Sequence, residues 1–148
     1  MCNLCLSRRG LLSAMSGLAV AATIGAVSTK AALAQPARSA DTPDAALARL
    51  MEGNARYASG KMAERDFSAG RAARTQGQAP FAAILSCADS RVAPELTFDQ
   101  GPGELFIVRV AGNFVTPDGL GSLEYGAAVL GTKVIMVLGH TSCGAVNA

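Results

Sequence analysis

Two short apolar runs constrain this chain more than anything else in it: Phe81-Ala82-Ala83-Ile84-Leu85-Ser86 and Lys133-Val134-Ile135-Met136-Val137-Leu138. Each is bounded by glycine, proline or polar residues, and each is too short for an ordinary helix and apolar throughout rather than alternating. Strands buried on both faces of a parallel sheet need that pattern, because helices cover both sides. A third run, Leu105 to Val110, lies between them in sequence and ends in Ala111-Gly112-Asn113. Glu95 to Gly103 read as a turn-rich crossover between the first two strands. Asp118 and Gly119 then precede a helix predicted from about Leu120 to Leu130, which passes through Gly131-Thr132 into the last strand. The order strand, crossover, strand, helix, strand implies an α/β fold: a parallel β-sheet core flanked by helices, with right-handed connections. Upstream, Thr42 is a predicted N-cap with Pro43 at the first helical position. The helix runs to about Ala58 and sets Ala46, Leu47, Leu50, Met51 and Tyr57 on one stripe. Residues 59–80 are polar and contain Arg65, Arg71 and Arg74, most of which read as solvated charges.

The chemistry sits where the strands end. Cys87 follows the first apolar run, and His140 and Cys143 follow the last. In open α/β sheets, ligands bind beyond the carboxyl ends of the strands. Neighbouring strands would therefore bring two thiols and the chain's one histidine together. Two thiolates and an imidazole are three ligands for tetrahedral zinc, with a fourth position open. That open position lets a catalytic zinc ionise water near neutral pH. Asp89 and Arg91 lie in the same tight turn as Cys87. Arg91 can hold Asp89 bidentately, keeping it ionised as an acceptor for metal-bound water. The residues leave a second reading open, a Cys87–Cys143 disulfide in an oxidising compartment.

Cys-x-Asp-x-Arg-Val at 87–92, Val-Arg-Val-Ala-Gly-Asn at 108–113, Glu-Tyr-Gly at 124–126 and Gly-His-x-x-Cys-Gly at 139–144 together resemble the β-class carbonic anhydrases. The resemblance runs from about residue 47 onward. It implies a β-carbonic-anhydrase-like sheet and a Zn2+ cofactor on Cys87, His140 and Cys143. The activity implied is reversible hydration of carbon dioxide to bicarbonate. Related proteins of this architecture act on carbon disulfide or carbonyl sulfide, and the sequence leaves that alternative open. By the same resemblance Asp89 and Arg91 form the catalytic dyad, and Asp89 swings onto zinc as a fourth ligand in a closed form. Gln78, nine residues before Cys87, matches a glutamine that donates to bicarbonate. Phe106 and Tyr125 match aromatic residues of the carbon dioxide pocket, some of which reach across a dimer interface. Leu50-x-x-Gly53-Asn54-x-Arg56-Tyr57 is similar to a helix that packs on the partner subunit, so a homodimer or higher homo-oligomer is implied. Bicarbonate-regulated members carry a tryptophan where this chain has Ile84; Arg109 and Tyr125 match two other positions of that site, but the site itself is not expected. Family members continue beyond the His-x-x-Cys motif, so the resemblance implies that the C-terminal part of the fold is missing from these 148 residues.

The first 34 residues read differently from the rest. Ser7-Arg8-Arg9-Gly10-Leu11-Leu12 opens a positively charged segment, a mildly apolar stretch follows to Val27, and Ala32-Leu33-Ala34 is a small-x-small cleavage pattern. The paired arginines resemble a twin-arginine signal, which implies a periplasmic or otherwise exported protein with no stable membrane association after cleavage. Cleavage would also remove Cys2 and Cys5. The remainder carries ten basic and eleven acidic residues and no clustered basic face, so nothing marks it as a nucleic-acid binder.

Overall fold

The structure is a computed structural model and describes residues 40–148; the signal-like segment at 1–34 lies outside the described residues. Thr42 caps the first helix, α1 (Pro43–Ala58), by accepting the Ala45 N–H, with Pro43 in the first turn. A short helix, α2 (Arg71–Arg74), follows. The sheet begins with β1 (Ala82–Cys87) and continues, after the short helix α3 (Pro94–Thr97), with β2 (Leu105–Val110). Helix α4 (Pro117–Ala128), strand β3 (Val134–Leu138) and a last turn of helix, α5 (Gly144–Asn147), complete the order. Both pairings are parallel and the strand order is β2-β1-β3, so β1 and β3 are neighbours, as convergence of the cysteines and histidine requires.

All six residues of β1 are buried, as expected of a central parallel strand. Ala82 and Ile84 face one way, with Leu105, Ile107, Val134 and Met136, and are covered by α1 through Ala46 and Leu50. Ala83 and Leu85 face the other way, with Phe106 and Val108, and are covered by α4 through Leu123. On that second face β3 is left open, with Ile135 47% and Val137 60% exposed. The expected stripe on α1 is only partly realised. Ala46, Leu50 and Gly53 are buried, whereas Leu47, Met51 and Tyr57 stand in solvent, because only a narrow strip of the helix meets α3 and β3. Helix α4 starts three residues before the expected Leu120. Thr116 caps it by accepting the Gly119 N–H, and Pro117 sits in its first turn, a cap signal stronger than Asp118-Gly119.

Arg65 is not a solvated charge. With Arg56 it grips the fully buried carboxylate of Asp99, and it also donates to the Asp99 carbonyl. Asp99 has φ of 48°, which turns its side chain and backbone toward the loop after α1, where Ala63 N–H adds a further bond. Burial pushes the carboxyl up, but Arg65, then Arg56 and the Ala63 N–H, overcome it and bring the pKa from 3.8 down to about 2. A carboxyl with a depressed folded-state pKa contributes stability that is present above its unfolded value and is lost as pH falls through its folded one. We expect the stability gap between the wild type and Asp99→Asn to be full at pH 5 and above. It should shrink between about pH 4 and pH 2, read by urea unfolding. A gap constant across that range would mean that Asp99 is not held as a buried anion.

Candidate metal centre

The centre forms where β1 and β3 end. Cys87 closes β1, and its side chain is buried. Beyond β3, the chain passes Gly139 and His140 and turns at Ser142, whose φ is 52°, so that Cys143 folds back and is buried too. The metal-binding atoms of Cys87, His140 and Cys143 all lie within 4.8 Å of one another. Both cysteines are free, with their sulfurs 3.8 Å apart, where a disulfide has about 2.05 Å. The disulfide reading therefore gives way to two thiols facing a common point.

His140 is oriented for a metal. Its Nδ1 bonds to the Thr141 carbonyl at 3.0 Å, which assigns the proton to Nδ1 and leaves the lone pair on Nε2. Nε2 is buried and has no hydrogen-bond partner. An unpaired buried nitrogen is costly unless something fills the space before it. Zinc fits that position, since imidazole nitrogen and two thiolates are its preferred donors. The Cys87 thiol is held down to about 6, most of all by the Gly112 N–H, so it reaches the metal-binding thiolate form easily. Gly112 approaches Cys87 Sγ at 3.3 Å from a φ of 81°, a conformation that favours glycine.

Asp89 and Arg91 form the expected dyad. Arg91 donates to Asp89 through Nε at 2.9 Å and Nη2 at 2.7 Å, and its backbone N–H closes the turn at 2.9 Å. These bonds hold the carboxyl well below the usual carboxylate range. Arg91 also reaches the Ser142 carbonyl at 3.2 Å, joining the turn after β1 to the loop after β3. Asp89 Oδ2 stands 3.6 Å from His140 Nε2, so a charged acceptor borders the space in front of the ligands.

The remaining expected residues lie elsewhere in this chain. Gln78 is exposed in the loop before β1. Phe106 pairs with Ala83, four residues and roughly 13 Å along the strand from Cys87. Its ring packs against Gly126 and meets Tyr125 at 6.0 Å between centroids, and Tyr125 is 46% exposed. Two contributors were not singled out for the centre from the sequence, Gly112 and Arg109. Arg109 interrupts an apolar strand, which is the signal that could have found it. Its Nε donates to the Cys87 carbonyl at 2.9 Å, and its Nη2 donates to the Asp89 and Val92 carbonyls at 2.7 Å each.

Comparison with known proteins agrees with this geometry. Residues 82–148 match the family described as carbonic anhydrase. Over 107 residues the chain is 50% identical to carbonic anhydrase 2 of Mycobacterium tuberculosis, covering 72% of this chain and 52% of that protein. It is 48% identical over the same length to the carbonic anhydrase of Mycolicibacterium smegmatis, with the same coverage. The chain thus spans about half the length of these relatives. Among solved structures, the β-carbonic anhydrase CcaA aligns with a TM-score of 0.50 and 33% identity over 68% of this chain and 51% of that one. The described residues therefore have a β-carbonic-anhydrase-like fold, a parallel sheet flanked by helices, and residues 82–148 match the carbonic anhydrase family model.

Proposed function

We propose that this chain, whose residues 82–148 fall in the carbonic anhydrase family, carries a zinc centre for the reversible hydration of carbon dioxide to bicarbonate and a proton. The observation that carries the proposal is the buried, unpaired Nε2 of His140 facing two free thiols, with the ionised Asp89 3.6 Å away. Cys87, His140 and Cys143 would hold the metal. When bound, zinc supplies Lewis acidity that lowers the pKa of water from 15.7 to about 7. Two thiolates neutralise a dication, so the chain must contribute orientation as well as charge. Asp89 supplies it. As an acceptor locked by Arg91, it takes a hydrogen bond from the reacting water and aims the oxygen lone pair at carbon dioxide. Arg91 keeps Asp89 ionised and holds its carboxylate away from the ligands. His140 spends its Nδ1 proton on Thr141 and is no proton shuttle, so the released proton leaves through another group or through buffer.

The proposal extends beyond this centre. Gln78, Phe106 and Tyr125 would bind substrate in a homo-oligomer, Gln78 and some of the aromatic residues reaching a neighbouring protomer's site. The exposed Leu47, Met51 and Tyr125 support such an assembly, which gel filtration reads directly. Export of the folded, metal-bearing chain rests on the signal-like residues 1–34 and is checked by sequencing the mature N-terminus.

Asp89→Asn tests the central step. The amide is nearly the same size and keeps the turn, but it can donate where the carboxylate only accepts. Carbon dioxide hydration should fall about a hundredfold or more while zinc content is retained, in the range seen when a positioned acid–base group is lost. Unchanged turnover would remove Asp89 from the mechanism.

A further inference from the structure

We infer that Arg109 is a positioning residue for this centre: it fixes the Cys87–Val92 turn and thereby sets where the Asp89 carboxylate stands. The inference rests on the zinc reading for its catalytic arm only. Arg109 belongs to β2, pairs with Ser86 across the sheet and lies 22 residues from the metal ligand whose carbonyl it binds. The turn it grips has few other anchors, one of them the Arg91 bond to the Ser142 carbonyl at 3.2 Å. Ala88 N–H bonds to the Val110 carbonyl at 3.1 Å, and Val92 N–H to the Asp89 carbonyl at 3.1 Å. All three carbonyls that Arg109 binds belong to this turn, at its first residue, its middle and its end. One of them is on the ligand Cys87 and another on Asp89. A planar guanidinium can span such a set with fixed donors, whereas an ammonium on a flexible stem cannot.

The consequence concerns Asp89. Its carboxylate is held by the Arg91 guanidinium at 2.7 Å and stands 3.6 Å from the His140 nitrogen whose lone pair faces the ligand cluster. Arg91 rides on the same turn as Asp89 and is tied outside it to the Ser142 carbonyl in the loop after β3. Arg109 comes from a different strand and ties the turn to the sheet. Without that tie to the sheet, the Asp89–Arg91 pair can drift relative to Cys87.

The test uses the full chain with Arg109→Ala and Arg109→Lys, each alone and combined with Asp89→Asn. In metal-free protein, amide hydrogen exchange at Ala88, Asp89, Arg91 and Val92 should quicken at least tenfold in Arg109→Ala. Amides of α1 and the centre of β1 should exchange as in the wild type. Arg109→Lys should fall between the two. In zinc-loaded protein, Arg109→Ala should lower kcat at least tenfold. Its further effect in the Asp89→Asn background should be less than twofold, because the residue it positions is already disabled. Free guanidinium should restore part of the Arg109→Ala loss. Equal losses in both backgrounds, or faster exchange throughout the sheet, would overturn the inference and leave Arg109 a general stabiliser. If wild-type chain proves inactive, the function reading falls, and the exchange experiment decides the positioning role by itself.

Discussion

Replacing His140 with alanine is expected to weaken zinc binding more than a hundredfold while leaving the sheet folded. Structural zinc sites with four protein ligands gain about 10–16 kcal/mol in all, so one ligand carries ~3 kcal/mol, a factor of more than a hundred. The fold should survive because His140 stands past the end of β3 and contributes nothing to either apolar cluster. Cys143→Ser should behave alike, since an alcohol is a poor substitute for a thiolate on zinc. Competition against a chromophoric zinc chelator, with circular dichroism alongside, reads both quantities. Undiminished affinity in His140→Ala would show that the metal is held elsewhere.

The largest expected loss of stability comes from a residue that touches no ligand. Gly53 lies on the face of α1 that meets the end of α3. A Cβ there would overlap the Phe98 carbonyl oxygen and come within 2.7 Å of its carbon and 2.9 Å of the buried Gln100 side chain. Backbone atoms cannot swing aside as a side-chain tip can. Helix α1 would have to lift from α3, exposing Leu50 and loosening the Arg56–Asp99 pair one turn along. Overpacking a tight contact costs about 1–3 kcal/mol, and Gly53→Ala should reach or exceed the upper end. At roughly 4 °C per kcal/mol, Tm should fall by about 12 °C or more, even though alanine favours the helix itself. A rise in Tm would mean that the contact between α1 and α3 is looser than described.

What the sequence made legible, and what it hid, follows from the range of the interactions involved. The strands were readable because a six-residue apolar run has few other uses, and the structure shifts their ends by only a residue. The ligands were readable because rare residue types stood at strand ends. Asp89 and Arg91 were readable because a two-residue spacing in one turn allows little else. Arg65 was misread as solvated because its partner, Asp99, lies 34 residues away and is brought near only by the packing of α1 on α3. The exposure of Leu47 and Met51 was hidden for the same reason: periodicity gives the width of an apolar stripe, not how much of it a neighbour covers. The role of Gly112 is a backbone N–H aimed at sulfur, which side-chain identity does not encode beyond the need for glycine.

The central claim is that Cys87, His140 and Cys143 bind one zinc with a fourth position left for water or Asp89. Zinc X-ray absorption on the purified chain, with elemental analysis of the same sample, tests it most directly. The account predicts about one zinc per chain, with two sulfurs near 2.3 Å, one imidazole nitrogen at about 2.0–2.1 Å and one further light atom. Soluble folded protein without zinc, or zinc in a shell lacking sulfur, would contradict it.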